Sequence, residues 1–172
     1  MKNFLELAHD RYSVRAYKDT AIEKEKIDKI VEAGRIAPTA RNNQPAVIYV
    51  LESSDAREKI REASPCTFGA PVVFVICYDE RVSAKGLIRD DFDFGNTDAA
   101  IVCTHMMLEA ADLGLGTCWV GKFVEADVKR ILNLPEYIRV IALLPTGYAA
   151  DNSVPSPRHE EYRPAGETVY YL

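Results

Sequence analysis

The chain has 172 residues and a mass of 19.2 kDa, the size of one domain and enough to bury roughly two-thirds of the surface its unfolded form exposes. With 48% hydrophobic and 27% charged residues, the composition excludes disordered and fibrous classes. A formal net charge of -5 and a pI near 5.3 argue against non-specific attraction to nucleic acid or an anionic membrane, and the longest apolar run, "APVVFVIC", is too short for a membrane helix, so one cytoplasmic domain over residues 1–172 is expected.

In chain order, Asn3 to Asp10 is helix-like, with Phe4, Leu5 and Ala8 at helical spacing. The stretch beginning at Thr20 has Glu23 three residues on, the pattern of a capping box. It then places Ile27, Ile30, Val31 and Gly34 on one face until Pro38 ends it, which predicts an amphipathic helix. "AVIYVLES" from Ala46 reads as a strand, "SDAREKIREA" from Ser54 as a surface helix, and "PVVFVICYD" from Pro71 as a strand buried on both faces. Residues 79 to 94 are polar and irregular and are expected to move; the carboxylates of "DERVSAKGLIRDDFDFGNTD" read as a solvated loop and not as a metal site or an acid pair. The segment from Asn96 is apolar almost all round, as a helix buried by other elements is. "GTCWVG" from Gly116 predicts a short strand, Glu125 opens another helix, and "YIRVIALLPTGY" from Tyr137 is a further buried strand. The tail, 149–172, is rich in Asn, Ser, Pro and charge and ends in "TVYYL", whose strand composition suits pairing with a sheet edge on a second subunit.

Cys66, Cys77, Cys103 and Cys118 have no C-x-x-C spacing and lie mostly in apolar segments, so reduced, buried thiols are expected. His9, His105 and His159 are scattered and make no metal-ligand pattern. No G-x-S-x-G elbow, Walker loop, H-E-x-x-H or Cys-His arrangement is present, which closes the usual hydrolase and kinase routes.

Three stretches hold residues with chemistry to offer. In "RYSVRAY", Arg11 and Arg15 share a face whether the chain is helical or extended, and only an extended chain adds Ser13 to that face. Arginine presents paired donors suited to phosphate oxygens or an imide-like edge, although charge alone favours a solvated basic loop. "APTARNNQPAVIYVL" is a polar elbow of Thr39, Arg41, Asn42, Asn43 and Gln44 between a helix and a strand; its amides suit heterocycle edges and polyols, and they also serve as ordinary turn formers. "GLGTCWVGKF" has glycines that follow a helix and open a strand, the reverse of a dinucleotide fingerprint. They permit close backbone approach to a flat ligand beside Trp119 and Val120, or simply a tight turn.

Taken together and in this order, the three stretches resemble the small FMN-dependent nitroreductase-like flavoproteins. "RYSVRAY" is similar to that family's R-x-S-x-R-x-[YF] opening, "APTARNNQPAVIYV" to its A-P-S-x-x-N-x-Q-P helix end, and "TDAAIVCTHMMLEAADLGLGTCWVGKF" to its buried helix and following strand. The resemblance implies an α+β, three-layer α-β-α sheet fold with a buried central helix, and an intertwined homodimer with FMN at two interface sites. By match, Arg11, Tyr12, Ser13 and Arg15 would hold the ribityl-phosphate and pyrimidine edge. Pro38, Thr39, Ala40, Asn42 and Gln44 would come from the other subunit, and Cys118, Trp119, Val120 and Gly121 would lie along the dimethylbenzene and N5 side. A basic residue of the tail would complete the phosphate site, Arg158 first and Arg163 second. Ala46 stands where relatives commonly carry Trp, and Arg163 abuts Pro164 where a basic pair is expected. The implied activity is ping-pong transfer of hydride from NADH or NADPH through FMN to a nitroaromatic, quinone or similar acceptor, with no catalytic side chain and no metal. A flavin-binding redox sensor or carrier, a reductive dehalogenase-like enzyme and a flavin-fragmenting relative are the alternatives.

Overall fold

The structure is a computed structural model and describes residues 3–86 and 92–172. Strands β1 (Ala46–Leu51), β2 (Val72–Asp79), β3 (Gly116–Thr117) and β4 (Ile138–Gly147) form one antiparallel sheet in the order β1-β2-β4-β3. The unbroken apolar run of β2 has a direct cause. Val72, Phe74, Ile76 and Tyr78 join one buried cluster, while Val73, Val75 and Cys77 join another on the opposite face. Helices α2 (Lys24–Arg35) and α4 (Gly95–Asp112) cover the first face through Ile27, Ile30, Ala99, Val102 and Met106. Helices α3 (Ser54–Ala63) and α5 (Glu125–Leu132) cover the second through Ile60, Ala63 and Val128. This is the expected α+β, three-layer arrangement with α4 at its centre. A Cβ added to Gly34 would lie 2.9 Å from Met106 Cγ, so this glycine sets the close crossing of α2 and α4.

The short α1 (Phe4–Asp10) carries the capping box: Asn3 accepts from Glu6 N–H, and the Glu6 carboxylate accepts from Asn3 N–H. The box expected at Thr20 does not form. Burial of Ile22 holds the approach outside the helix, α2 starts at Lys24, and Glu23 instead accepts from the Tyr148 hydroxyl at 2.7 Å. Residues 87–91, part of the expected mobile loop, lie outside the described residues. Their flanks correct the solvated reading: Ser83 and Ala84 are buried, Lys85 and Asp93 form a bridge, and Asp98 is a buried member of α4.

The expected strand from Gly116 is shorter than its sequence. Gly116 pairs with Gly147, Thr117 with Thr146 and Val120 with Leu143, which is one continuous register. Pro145 falls opposite Cys118 in that register and can accept from Cys118 N–H at 3.2 Å, but it has no N–H to return. The ladder breaks there and resumes at Val120. At the chain end Val169, Tyr170, Tyr171 and Leu172 are exposed and form no strand within the single chain. No helix among the described residues is long and apolar enough to cross a membrane.

Candidate functional site

The stretch after α1 is extended, as its Ser13-recruiting reading requires. Arg11 caps α1 with φ -64° and ψ 127°, Ser13 makes a parallel bridge with Thr117, and Val14 N–H donates to Thr117 O at 2.9 Å. On its other side Tyr17 bridges Ala149, and Ala150 N–H donates to Ala16 O. The segment therefore extends the sheet beyond β3. Val14 is its buried anchor and presses on Gly116, where a Cβ would sit 2.4 Å from Val14 Cγ2. The Tyr17 hydroxyl donates to the Val14 and Pro145 carbonyls, each 2.9 Å away, and burial pushes its ionisation well above the usual tyrosine range.

This geometry divides the two arginines. Ser13 and Arg15 line a cleft of about 360 Å³ with Tyr12, Ser156, Arg158 and His159. Arg11 instead lines a cleft of about 190 Å³ with Leu7, Asp10 and the turn Gly114–Gly116. The two guanidiniums thus line different clefts, with Tyr12 between them, and the Arg11 N–H closes α1 on Leu7 O. Both charges nonetheless reach Cys118. Burial pushes that thiol up, while Arg15, a hydrogen bond with Ser13 and, more weakly, Arg11 pull against it. The net upward shift keeps the thiol protonated, which argues against Cys118 as a nucleophile. Cys118 and Val120 send their N–H groups into the ladder with β4, and alternation turns those of Trp119 and Gly121 the other way. Gly121 is exposed and a Cβ there would meet nothing.

Arg158 and Arg163 are separated in the same way. Arg158 lines the Ser13–Arg15 cleft, whereas Arg163 is placed beyond it with its Nη2 on Glu167 at 3.3 Å.

The elbow is built on different principles. A 3-10 turn, Ala40–Asn42, follows Thr39, and Thr39 Oγ1 accepts from Gln44 N–H at 3.0 Å. Arg41, Asn42 and Gln44 all have φ between 51° and 55°, a left-handed conformation that costs side-chain-bearing residues about 1 kcal/mol or more each. What holds this strained backbone is Asp98, 2% exposed, whose Oδ1 accepts from Ala40 N–H at 2.9 Å. Its Oδ2 is buried with no hydrogen-bond partner among the described residues. Sequence reading missed Asp98, although the signal was present: Asp98, Val102 and Met106 fall on one helical face, so the carboxylate belongs to the buried stripe. Thr39 and Gln44 line a further cleft of about 140 Å³ with Gly34, Ala46 and Ile48, and Ala46 leaves that wall open. Pro38, Asn42 and Gln44 are exposed.

The two halves lie at opposite edges of the sheet. The elbow feeds β1 at one end of the strand order, while Ser13 and Arg15 lie beyond β3 at the other. Four strand spacings of about 4.8 Å separate them by roughly 19 Å across the sheet alone.

Comparison with known proteins gives this arrangement a family. The model of the nitroreductase family matches residues 8–68 and 63–148. An NADPH-dependent oxidoreductase of Staphylococcus haemolyticus is 31% identical over 175 residues, covering 89% of this chain and 68% of that protein. The FMN reductase [NAD(P)H] of Bacillus subtilis is 29% identical over 176 residues, covering 92% and 70%. A crystal structure of a nitroreductase family protein from Clostridium difficile superimposes with a TM-score of 0.92 at 34% identity, covering 99% of this chain and 98% of its own. The chain belongs to the nitroreductase family.

Proposed function

We propose that the chain is an NAD(P)H-dependent oxidoreductase that binds FMN at two equivalent sites of a homodimer and reduces nitroaromatic, quinone or similar acceptors by a ping-pong mechanism. The observation that carries this reading is the convergence of Ser13, Arg15 and Arg158 on one cleft beside the β3 edge. A hydroxyl and two guanidinium forks are the donor set for a phosphate and an imide-like edge, so the residues present suit the cofactor. Bound FMN supplies the redox chemistry, accepting two electrons from the nicotinamide and delivering them to the acceptor.

The chain's own residues position that chemistry. Arg158 and Ser13 take the phosphate end. Arg15, whose Nη1 donates to Ser13 O at 3.2 Å, carries the positive charge that stabilises electron density gathering at the pyrimidine edge. Arg11 lies across Tyr12 from this cleft and adds to its field. Cys118, Trp119, Val120 and Gly121 form the ring's floor, with the N–H groups of Trp119 and Gly121 turned away from β4.

Pro38, Thr39, Ala40, Asn42 and Gln44 belong to the second subunit's share of each site. The separation of roughly 19 Å across the sheet supports this, because one chain does not bring both halves to one ring. Exposed apolar side chains support it as well: Phe4 and Leu5 on α1, Ile36 beside the elbow, and Val169, Tyr170, Tyr171 and Leu172 in the tail are surface a partner covers. The tail strand pairs with the partner's sheet edge, β1 being the outer strand.

The purified chain should be yellow, be bleached anaerobically by NADH or NADPH, and be reoxidised by a nitroarene or quinone, with parallel double-reciprocal lines. A colourless protein that takes up no FMN refutes the reading. A yellow protein that neither nicotinamide reduces supports a flavin sensor or carrier instead.

A further inference from the structure

From Val154 to Leu172 every residue is exposed except His159. A tail with so little burial has no packing of its own to fix Arg158, whose side chain is 85% exposed and pairs with Glu161, at 3.3 Å, at the end of the same short turn. His159 tethers the turn itself, between the Tyr12–Ser153 bond before it and the His9–Tyr162 ring contact after it. Its Nε2 lies 3.0 Å from His9 O and donates to it, since a carbonyl only accepts. That carbonyl is one of the last four of α1, which lack intrahelical partners, so the tail caps the helix that leads into Arg11. The His159 ring also stands edge-on to Tyr12, centroids 6.3 Å apart at 70°. Tyr12 in turn donates to Ser153 O at 3.2 Å, which secures the tail just before the turn.

We propose that His159 is the positioning residue that latches Arg158 against Ser13 and Arg15, and so makes this cleft select a phosphorylated flavin over an unphosphorylated one. The inference rests on the flavin reading given above. Its physical basis is entropic: a guanidinium on an untethered exposed tail surrenders much of its binding energy to being ordered, and one on a tethered turn surrenders less. Arg158 and His159 are neighbours on the 3-10 turn Pro157–Glu160, so a hydrogen bond made by one fixes where the other begins.

The test measures affinity for FMN and for riboflavin by quenching of flavin fluorescence, in the full-length protein and in His159→Phe, His159→Gln, Arg158→Ala and the double variant Arg158→Ala/His159→Phe. His159→Phe keeps a ring against Tyr12 and removes the donor. It should weaken FMN by about tenfold, the scale of one charge-assisted contact, and leave riboflavin unchanged. His159→Gln, which restores an N–H, should recover part of the loss. The double variant should bind FMN no more weakly than Arg158→Ala, because the latch acts through Arg158. Equal loss of both flavins in His159→Phe, unaltered FMN affinity, or additive losses in the double variant overturns the latch while leaving the flavin site standing. A wild-type protein that binds neither flavin overturns the flavin reading and the latch with it.

Discussion

The two edges of the sheet hold functional side chains by opposite means. At the β3 edge, residues 13–17 lie in relaxed extended backbone between Thr117 and Ala149, and the ladder, the buried Val14 and the Tyr17 hydroxyl share the load. At the β1 edge, the elbow bends through three left-handed residues and rests on one buried carboxylate, Asp98. The first arrangement is redundant and gives a stable platform for charge. The second adds to its one buried carboxylate only exposed bonds, Gln44 N–H on Thr39 Oγ1 and the Asn43 amide on Val82 O, which makes the strained elbow the more fragile half and the one whose geometry a single substitution alters most.

The largest effect is therefore expected from Asp98→Ala. It leaves the part-buried Ala40 N–H without its acceptor and releases the strained turn, at a cost of about 2 kcal/mol in the free energy of urea unfolding. FMN uptake should fall in parallel. Asp98→Asn keeps an acceptor oxygen and should cost less.

Arg15→Ala is next and separates binding from folding. Among the described residues its guanidinium donates only to Ser13 O, two residues away, so stability should change by less than about 0.5 kcal/mol while the protein purifies largely without FMN or with a shifted flavin potential. Wild-type flavin content together with an unchanged potential contradicts the assignment of Arg15. Tyr17→Phe has a smaller effect on flavin binding. It removes one donor shared between two carbonyls beside the site and should cost about 1 kcal/mol in stability, with only a slight loss of FMN.

The smallest effect on flavin binding belongs to the strand between the two edges. Burial pushes the Cys77 thiol from 9.0 up to about 12. Because the folded value is the higher one, its contribution is complete below pH 9 and is lost as the pH rises from 9 towards 12. Cys77→Ala should flatten the stability profile across that window and leave flavin binding as it was.

Much of the layered fold was legible because its signals are periodic. β2 reads as doubly buried, the segment from Asn96 as a central helix, and residues 11–17 as a chain whose geometry decides whether Ser13 joins Arg15. The remainder depended on contacts across the chain that no local pattern encodes. Arg11 parts from Arg15 because its cleft is made by α1 and the distant turn Gly114–Gly116. Pro145 cuts a strand that lies some 25 residues before it in sequence and only one spacing away in space. Thr20 and Glu23 have capping-box spacing, yet burial of Ile22 moves the helix start past them. Sequence offset placed Arg158 ahead of Arg163, whereas the hold of His159 on that turn needed the position of His9 O, a contact across the chain.

The central claim, that each site joins Ser13 and Arg15 of one chain to the elbow of another, is tested most directly by complementation. Arg15→Ala and the elbow variant Asn42→Gly/Gln44→Gly, which keeps the left-handed backbone while removing both amides, are each purified without flavin, unfolded together, refolded and titrated with FMN. A shared site predicts that the mixture regains tight FMN binding, because each mixed dimer contains one site with Arg15 from one chain and an intact elbow from the other. A mixture that binds no better than the two variants alone would contradict it.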